Sequence, residues 1–265
     1  MATDRRNNCF RPHGSVTVTS VRDRAPPEAL VTQAEENLGI ADDSHQDQMT
    51  ILDAGESVQV DTSSTALDIT VGANEEAIGE TTYTADQLDA QSTRLAAVLH
   101  NDSRSEASWD FGSDIVLIPT GDGRVSITDQ DGNFLGGIDE PWAVDATGSP
   151  VDTSYTVEGT TLVQNLATDD STSYPVVADP TVRLYPGYYQ VNFNRNESSI
   201  VLGGVGGCYA FLSKATHPAL RALSLVCGGL SAYGTARLAG GRCLRVNVAG
   251  LPPAAWTWWP SYPKC

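Results

Sequence analysis

Four of the five cysteines, Cys208, Cys227, Cys243 and Cys265, lie beyond residue 207 of a 265-residue chain. A segment that short buries only a modest core, so four cysteines in it are expected to form two disulfides that hold a small fold together. Their spacing argues against zinc, because no C-x₂-C pair occurs and the only nearby histidine is His217. The expectation carries a location with it. Disulfides persist in an oxidising compartment, so the protein belongs outside the cell or in its envelope. Residues Met1 to Glu28 contain Arg5, Arg6 and Arg11 but no apolar run of signal-peptide length, so no leader is visible in the chain. No stretch has the ~18 apolar residues of a membrane-spanning helix.

Charge divides the chain at the same place as the cysteines. The net charge is −17. Between Pro26 and Pro180 there are 30 Asp and Glu against Arg94, Arg104 and Arg124 alone. From Thr181 onward, Glu197 is the sole acid against eight Lys and Arg. A sign change of this size marks two units. We therefore expect a polar, mostly disordered segment over 1–50, an acidic all-β domain over 51–180 and a basic domain over 181–265. The acidic unit repels nucleic acid and anionic lipid, and the basic one attracts anions, including the acidic domain beside it.

Hydrophobic patterning assigns the folds. A short helix is expected over Pro27–Leu38. Beyond it, apolar runs four to six residues long recur at Ser57–Val60, Ala66–Val71, Leu95–His100, Ser113–Ile118, Arg124–Thr128, Phe134–Ile138, Trp142–Asp145, Ser154–Val157, Thr161–Asn165 and Tyr174–Val177. Gly121-Asp122-Gly123, Asp131-Gly132-Asn133 and Glu158-Gly159 separate neighbouring runs as hairpin turns do. Closely spaced strands without long helices between them predict an antiparallel β-sandwich.

The basic domain reads as strand, helical hairpin, strand. Tyr189, Val191 and Phe193 alternate with polar residues, as do Leu244, Val246 and Val248. The Gly- and Ala-rich stretch between them predicts helices over Glu197–Lys214 and Pro218–Leu238, the second started by Pro218 and stopped by Gly240-Gly241. In such a hairpin Cys208 and Cys227 come to similar heights on facing helices. We therefore expect Cys208–Cys227 with Cys243–Cys265, the latter tying the aromatic tail to the sheet, and Cys9 left unpaired. Three pairings are open to four cysteines, and a frayed first helix frees Cys208 for another.

Asp139-Glu140-Pro141-Trp142-Ala143-Val144-Asp145-Ala146, followed by Tyr174-Pro175-Val176-Val177-Ala178-Asp179-Pro180, resembles a β-rich region of uncharacterised secreted actinobacterial proteins with a PWAxDA…YPVxADP pattern. There a variable C-terminal domain follows, and Val191 to Ser198 with the downstream cysteines is similar to small domains of that setting. The resemblance implies an extracellular or envelope location and no defined activity.

No segment presents a recognisable active site, and no cofactor or metal is expected. Asp129, Asp131 and Asn133 mimic the start of a calcium loop but sit between strands without the closing Glu, so a plain hairpin turn is the better account. Gly229-Leu230-Ser231-Ala232-Tyr233-Gly234 has the wrong spacing for a nucleophile elbow and reads as a small-residue contact. Gly203-Gly204-Val205-Gly206-Gly207 lacks the Gly-Lys ending of a phosphate loop, which leaves close helix packing or ordering on a membrane. Glu197 falls where a helix dipole favours an acid, or where an Arg pairs with it. His13, His45, His100 and His217 are too scattered for a triad.

Candidate binding residues are therefore Arg221, Arg237, Arg242, Arg245, Trp256, Trp258 and Trp259. Arg221 and Arg237 bracket 15 uncharged residues. As a helix that stretch is about 22 Å long, too short to span a bilayer but suited to lying in its interface. The tryptophans, with Tyr262, either fold back over the sheet or serve as interfacial anchors. Three functions follow: a non-enzymatic binding or toxin-like module for an anionic membrane or envelope surface, with the acidic region as carrier or shield; a structural or adhesive protein, with its domains held together by charge; or, least favoured, a hydrolase. Nucleic acid is not expected as a partner.

Overall fold

The computed structural model describes residues 25–40, 49–61, 66–73, 80–89, 92–120, 123–183, 189–216, 218–251 and 255–265. The expected disorder before Pro26, the acidic run from Ala41, Cys9, His13, His45 and His217 lie outside them. The molecule is mainly β, with antiparallel sheets and a small C-terminal unit holding two disulfides and short helices.

Nine strands form the larger sheet: β1 (Thr50–Leu52), β4 (Thr81–Asp89), β5 (Ser92–Leu99), β7 (Ile115–Pro119), β8 (Val125–Asp129), β9 (Phe134–Ile138), β10 (Trp142–Val144), β13 (Val176–Asp179) and β14 (Thr181–Arg183). The second sheet runs β11 (Thr153–Glu158), β12 (Thr161–Leu166), β6 (Glu106–Asp110), β3 (Ala66–Val71), β2 (Ser57–Asp61). Their facing sides make the main core, in which Leu67, Ile69, Trp109 and Leu162 pack with Leu95, Leu99, Ile127 and Ile138. Trp109 meets Tyr83 edge-on, with ring centroids 5.8 Å apart.

Side-chain alternation explains what covers the outer face of the larger sheet. On β5, Leu95, Ala97 and Leu99 point into the sandwich, whereas Ala96 and Val98 join Val144 and Val177 beneath Val31 and Ala34 of helix α1 (Pro27–Leu38). On β7, Ile115 and Leu117 face inward, while Val116 and Ile118 pack into the core of the C-terminal unit. One half of the outer face thus carries a helix and the other half carries the disulfide domain.

That domain contains a three-stranded sheet, β15 (Tyr189–Asn192), β16 (Arg245–Leu251) and β17 (Ala255–Ser261), and short helices α2 (Arg195–Leu202), α3 (Val205–Leu212), α4 (Pro218–Ala222) and α5 (Cys227–Ala232). The two long helices expected here are broken. Gly204, at φ 153°, turns the chain between α2 and α3, a backbone that a side chain resists. The second helix continues through a 3₁₀ segment, Leu223–Val226, but ends at Ala232, two residues before Gly234 at φ 62°. The sign change in charge also precedes the end of the large sheet, because Thr181–Arg183 still pairs with β5 and β9.

The disulfides join Cys208 to Cys227 and Cys243 to Cys265, with Cα separations of 5.7 and 5.0 Å. The pairing is the expected one, although α3 and α5 bring the first pair together rather than one continuous hairpin. Asn194 starts α2 through a capping box, its side chain accepting from the Glu197 amide while Glu197 accepts from the Asn194 amide. The domain's only acid is thus a helix cap.

Candidate functional site

The two motifs of the resemblance are strand partners. β10 and β13 pair with Trp142 opposite Asp179 and Val144 opposite Val177. Asp145 then closes the following turn, accepting from the amides of Thr147 at 2.9 Å, Ser149 at 2.9 Å and Ser173 at 3.2 Å. Burial works to raise its pKa, but these bonds and one from the Thr147 hydroxyl hold it below the ordinary carboxylate value.

Asp179 is buried. Arg94 Nε lies 3.3 Å from it, and the other side of the guanidinium is paired with Glu35 of α1. Thr181 Oγ1 donates to its carboxylate at 2.9 Å. Burial outweighs the guanidinium and these bonds, so its pKa is pushed up to about 6. Asp145 and Asp179 thus serve a turn and a buried ion triad rather than an open site, and Asp139 pairs with Arg183. Asp129 likewise closes a β8–β9 hairpin, its two oxygens accepting from Asn133 N and Nδ2 at 2.7 and 2.8 Å. Among the described residues no three His, Cys, Asp or Glu side chains are placed to hold a metal. His100 exchanges a 2.9 Å hydrogen bond with Thr82.

The candidate binding residues separate into two groups. Trp258 is buried in the domain core, its ring against Gly229, where a Cβ would lie 3.1 Å from it. The Gly229–Gly234 stretch is thus a small-residue contact. Trp259 is fully buried against the sandwich, packed over Gly137, stacked with Phe134 at 6.2 Å and capped by the Arg124 guanidinium at 4.6 Å. Neither ring is exposed as an anchor. The Trp256 side chain lies outside the described residues. Arg242 donates to the carbonyls of Tyr262 and Gln130, and Arg245 to Asn192 Oδ1, so both also position backbone or strand. Arg221 and Arg237 are exposed.

Two features of this domain were not visible as a pattern. From Arg195 on, seven cations (Arg195, Lys214, Arg221, Arg237, Arg242, Arg245 and Lys264) are described, and none forms an ion pair. On the same domain Ile200, Val205, Tyr209 and Leu225 are exposed apolar side chains, carried by α2, α3 and the 3₁₀ segment, and α3 packs against both of the others. Leu225 is 70% exposed and Tyr209 58%, although the domain has a core to receive them.

Among the described residues the contact between the acidic sandwich and the basic domain, from Arg195 on, accordingly includes no ion pair. It includes Val116 and Ile118 in the core of the basic domain, the Trp259 ring on Gly137, the Ser126 hydroxyl donating to the Pro260 carbonyl at 2.9 Å, and Arg242 on the Gln130 carbonyl at 2.8 Å. Molar salt screens surface charge and leaves apolar contact intact. Hydrogen exchange at β8 and β9 is therefore expected to be unchanged by molar sodium chloride. A Cβ at residue 137 lies 2.5 Å from the indole, so Gly137→Val should open the contact in any salt. Faster exchange on adding salt alone would contradict this account.

No family model matches the chain, and no curated protein matches it in sequence. A crystal structure of a mutant of the heparan sulfate lyase HepC from Pedobacter heparinus aligns with TM-score 0.24 at 6% identity, over 80% of this chain and 28% of the lyase. The chain spans under a third of that protein, and a likeness at this level supports no conclusion about activity.

Proposed function

We propose that the protein is a secreted, non-enzymatic, two-part molecule whose basic C-terminal domain binds an anionic membrane or envelope surface, with the acidic sandwich as its carrier. The observation that carries this reading is the pairing of seven uncompensated cations with an exposed apolar group on the same small domain. Each Lys or Arg near an anionic bilayer contributes about 1 kcal/mol. Withdrawing a side chain such as Leu225 or Tyr209 from water adds roughly 1.5–3 kcal/mol when burial is complete. The two disulfides fit an oxidising compartment. No helix of the described residues is long and apolar enough to cross a membrane, and a surface-lying mode requires none.

Co-sedimentation of the oxidised full-length chain with phosphatidylglycerol and phosphatidylcholine vesicles tests the proposal. Binding is expected on the anionic vesicles only, to weaken in salt, and to fall about tenfold or more in Tyr209→Ser/Leu225→Ser. Equal, negligible sedimentation with both lipids would sink it.

A further inference from the structure

Between the outer face of the large sheet and the disulfide domain lies a cleft of about 280 Å³, with room for about nine waters or a ligand of about that many non-hydrogen atoms. Val116 and Ile118 of β7 give it an apolar wall, and a 3₁₀ turn, Thr235–Leu238, brings Ala236 and Arg237 to the other side. Two polar groups there lack structural partners, and a third is held with its charge unneutralised. Tyr262 is 4% exposed, and its hydroxyl has no hydrogen-bond partner among the described residues. Arg237 is exposed and forms no ion pair among the described residues. Arg242 is held in place by the Tyr262 and Gln130 carbonyls, which fix its direction but leave its charge unneutralised. Asp129 also lines the cleft, with both carboxylate oxygens already accepting from Asn133.

A buried hydroxyl without a partner costs about 1–3 kcal/mol, which a ligand's acceptor would recover. We propose that this cleft is a binding site for a small amphipathic carboxylate, with the apolar body against Val116 and Ile118 and the carboxylate between Arg237 and the Tyr262 hydroxyl. An apolar wall, donors among the lining residues and net positive charge together select this class. A cation meets two guanidiniums, and a bare inorganic anion leaves the wall wet. The site needs no lipid and stands independently of the membrane reading.

The test uses the oxidised full-length chain without vesicles and follows the amide resonances of Thr128, Ala236 and Ala239. Three probes are titrated: benzoate, benzylammonium and inorganic phosphate. Benzoate is expected to shift these resonances saturably, phosphate much more weakly, and benzylammonium not at all. Arg237→Gln, exposed and without a structural partner, should weaken benzoate about tenfold, the effect of losing one charge-assisted hydrogen bond. Tyr262→Phe should weaken it by a few-fold, since it removes the hydroxyl and keeps the ring. Saturation by benzylammonium, equal affinity for phosphate, no saturable shift with benzoate, or benzoate binding untouched in Arg237→Gln would each overturn the assignment.

Discussion

Arg94→Met is expected to destabilise the sandwich by about 3–5 kcal/mol, since it leaves Glu35 and Asp179 buried without their shared cation. The loss reflects abandoned carboxylates more than a lost attraction. Replacing all three ionic groups, as Arg94→Met/Glu35→Gln/Asp179→Asn, should therefore recover much of it. Asp179 also gives the defect a pH dependence. Its folded pKa is raised to about 6 from the ordinary 3.8, so the folded state holds that proton more tightly than the unfolded chain. Its contribution to stability is therefore greatest at low pH and declines as pH rises through the window from about 4 to about 6. Without Arg94 the charged form is still less tolerable. The Arg94→Met defect should accordingly be largest at neutral pH and shrink below about 6, where a neutral Asp179 no longer needs the guanidinium. Urea unfolding of both proteins at pH 5 and 7.5 measures this. A defect of equal size at both values would show that Asp179 is not the group responsible.

The triad also shows where local pattern ends. Glu35, Arg94 and Asp179 lie on α1, β5 and β13, far apart in the chain, and nothing near any of them announces the other two. What the chain states locally is legible. Helix α1 occupies the predicted Pro27–Leu38, and Ala66–Val71 and Phe134–Ile138 are strands at the predicted limits. The strands that escaped prediction lack a readable apolar alternation. β4 buries Thr81, Thr84 and Asp86 among its apolar residues, and β6 presents little beyond Ala107 and Trp109. β17 carries Pro260 and three tryptophans, a composition that reads as a tail rather than a strand. It pairs with β16 from Arg245–Ser261 to Leu251–Ala255, and its Trp259 and Pro260 meet Gly137 and Ser126 of the sandwich.

The candidate site divides along the same line. Charge partition is a property of composition, so the basic character of the C-terminal unit could be read directly. Which cations are already engaged could not, because the Arg242 carbonyl partners come from Tyr262 and from Gln130 of the other unit. The apolar group formed by Ile200, Val205, Tyr209 and Leu225 was obscured for a different reason. A helix assumed unbroken from Glu197 to Lys214 assigns its faces differently from two helices with a turn at Gly204.

Reduction is expected to melt the C-terminal domain while leaving the sandwich folded. Closing a loop of about 15–20 residues contributes roughly 3 kcal/mol through the unfolded chain. The two bridges span 19 and 22 positions, so each is worth about that much to a unit whose own core is small. They are not equivalent. Cys208 and Cys227 lie inside the domain core with Leu212, Leu223 and Leu230, and their loop ties α3 to the segment that follows α4. Cys243–Cys265 fastens a tail that backbone bonds already hold, Cys243 N to the Pro263 carbonyl and Cys265 N to the Gly241 carbonyl, both at 2.9 Å. Cys265 is also exposed, so a reductant should reach this bridge first. Cys208→Ala/Cys227→Ala should therefore abolish the domain's cooperative transition, whereas Cys243→Ala/Cys265→Ala should lower its midpoint and loosen Trp259 from Gly137. Near-ultraviolet circular dichroism on heating, with and without reductant, separates the two transitions. Identical melting of the oxidised and reduced chains would mean that the small core is sufficient by itself.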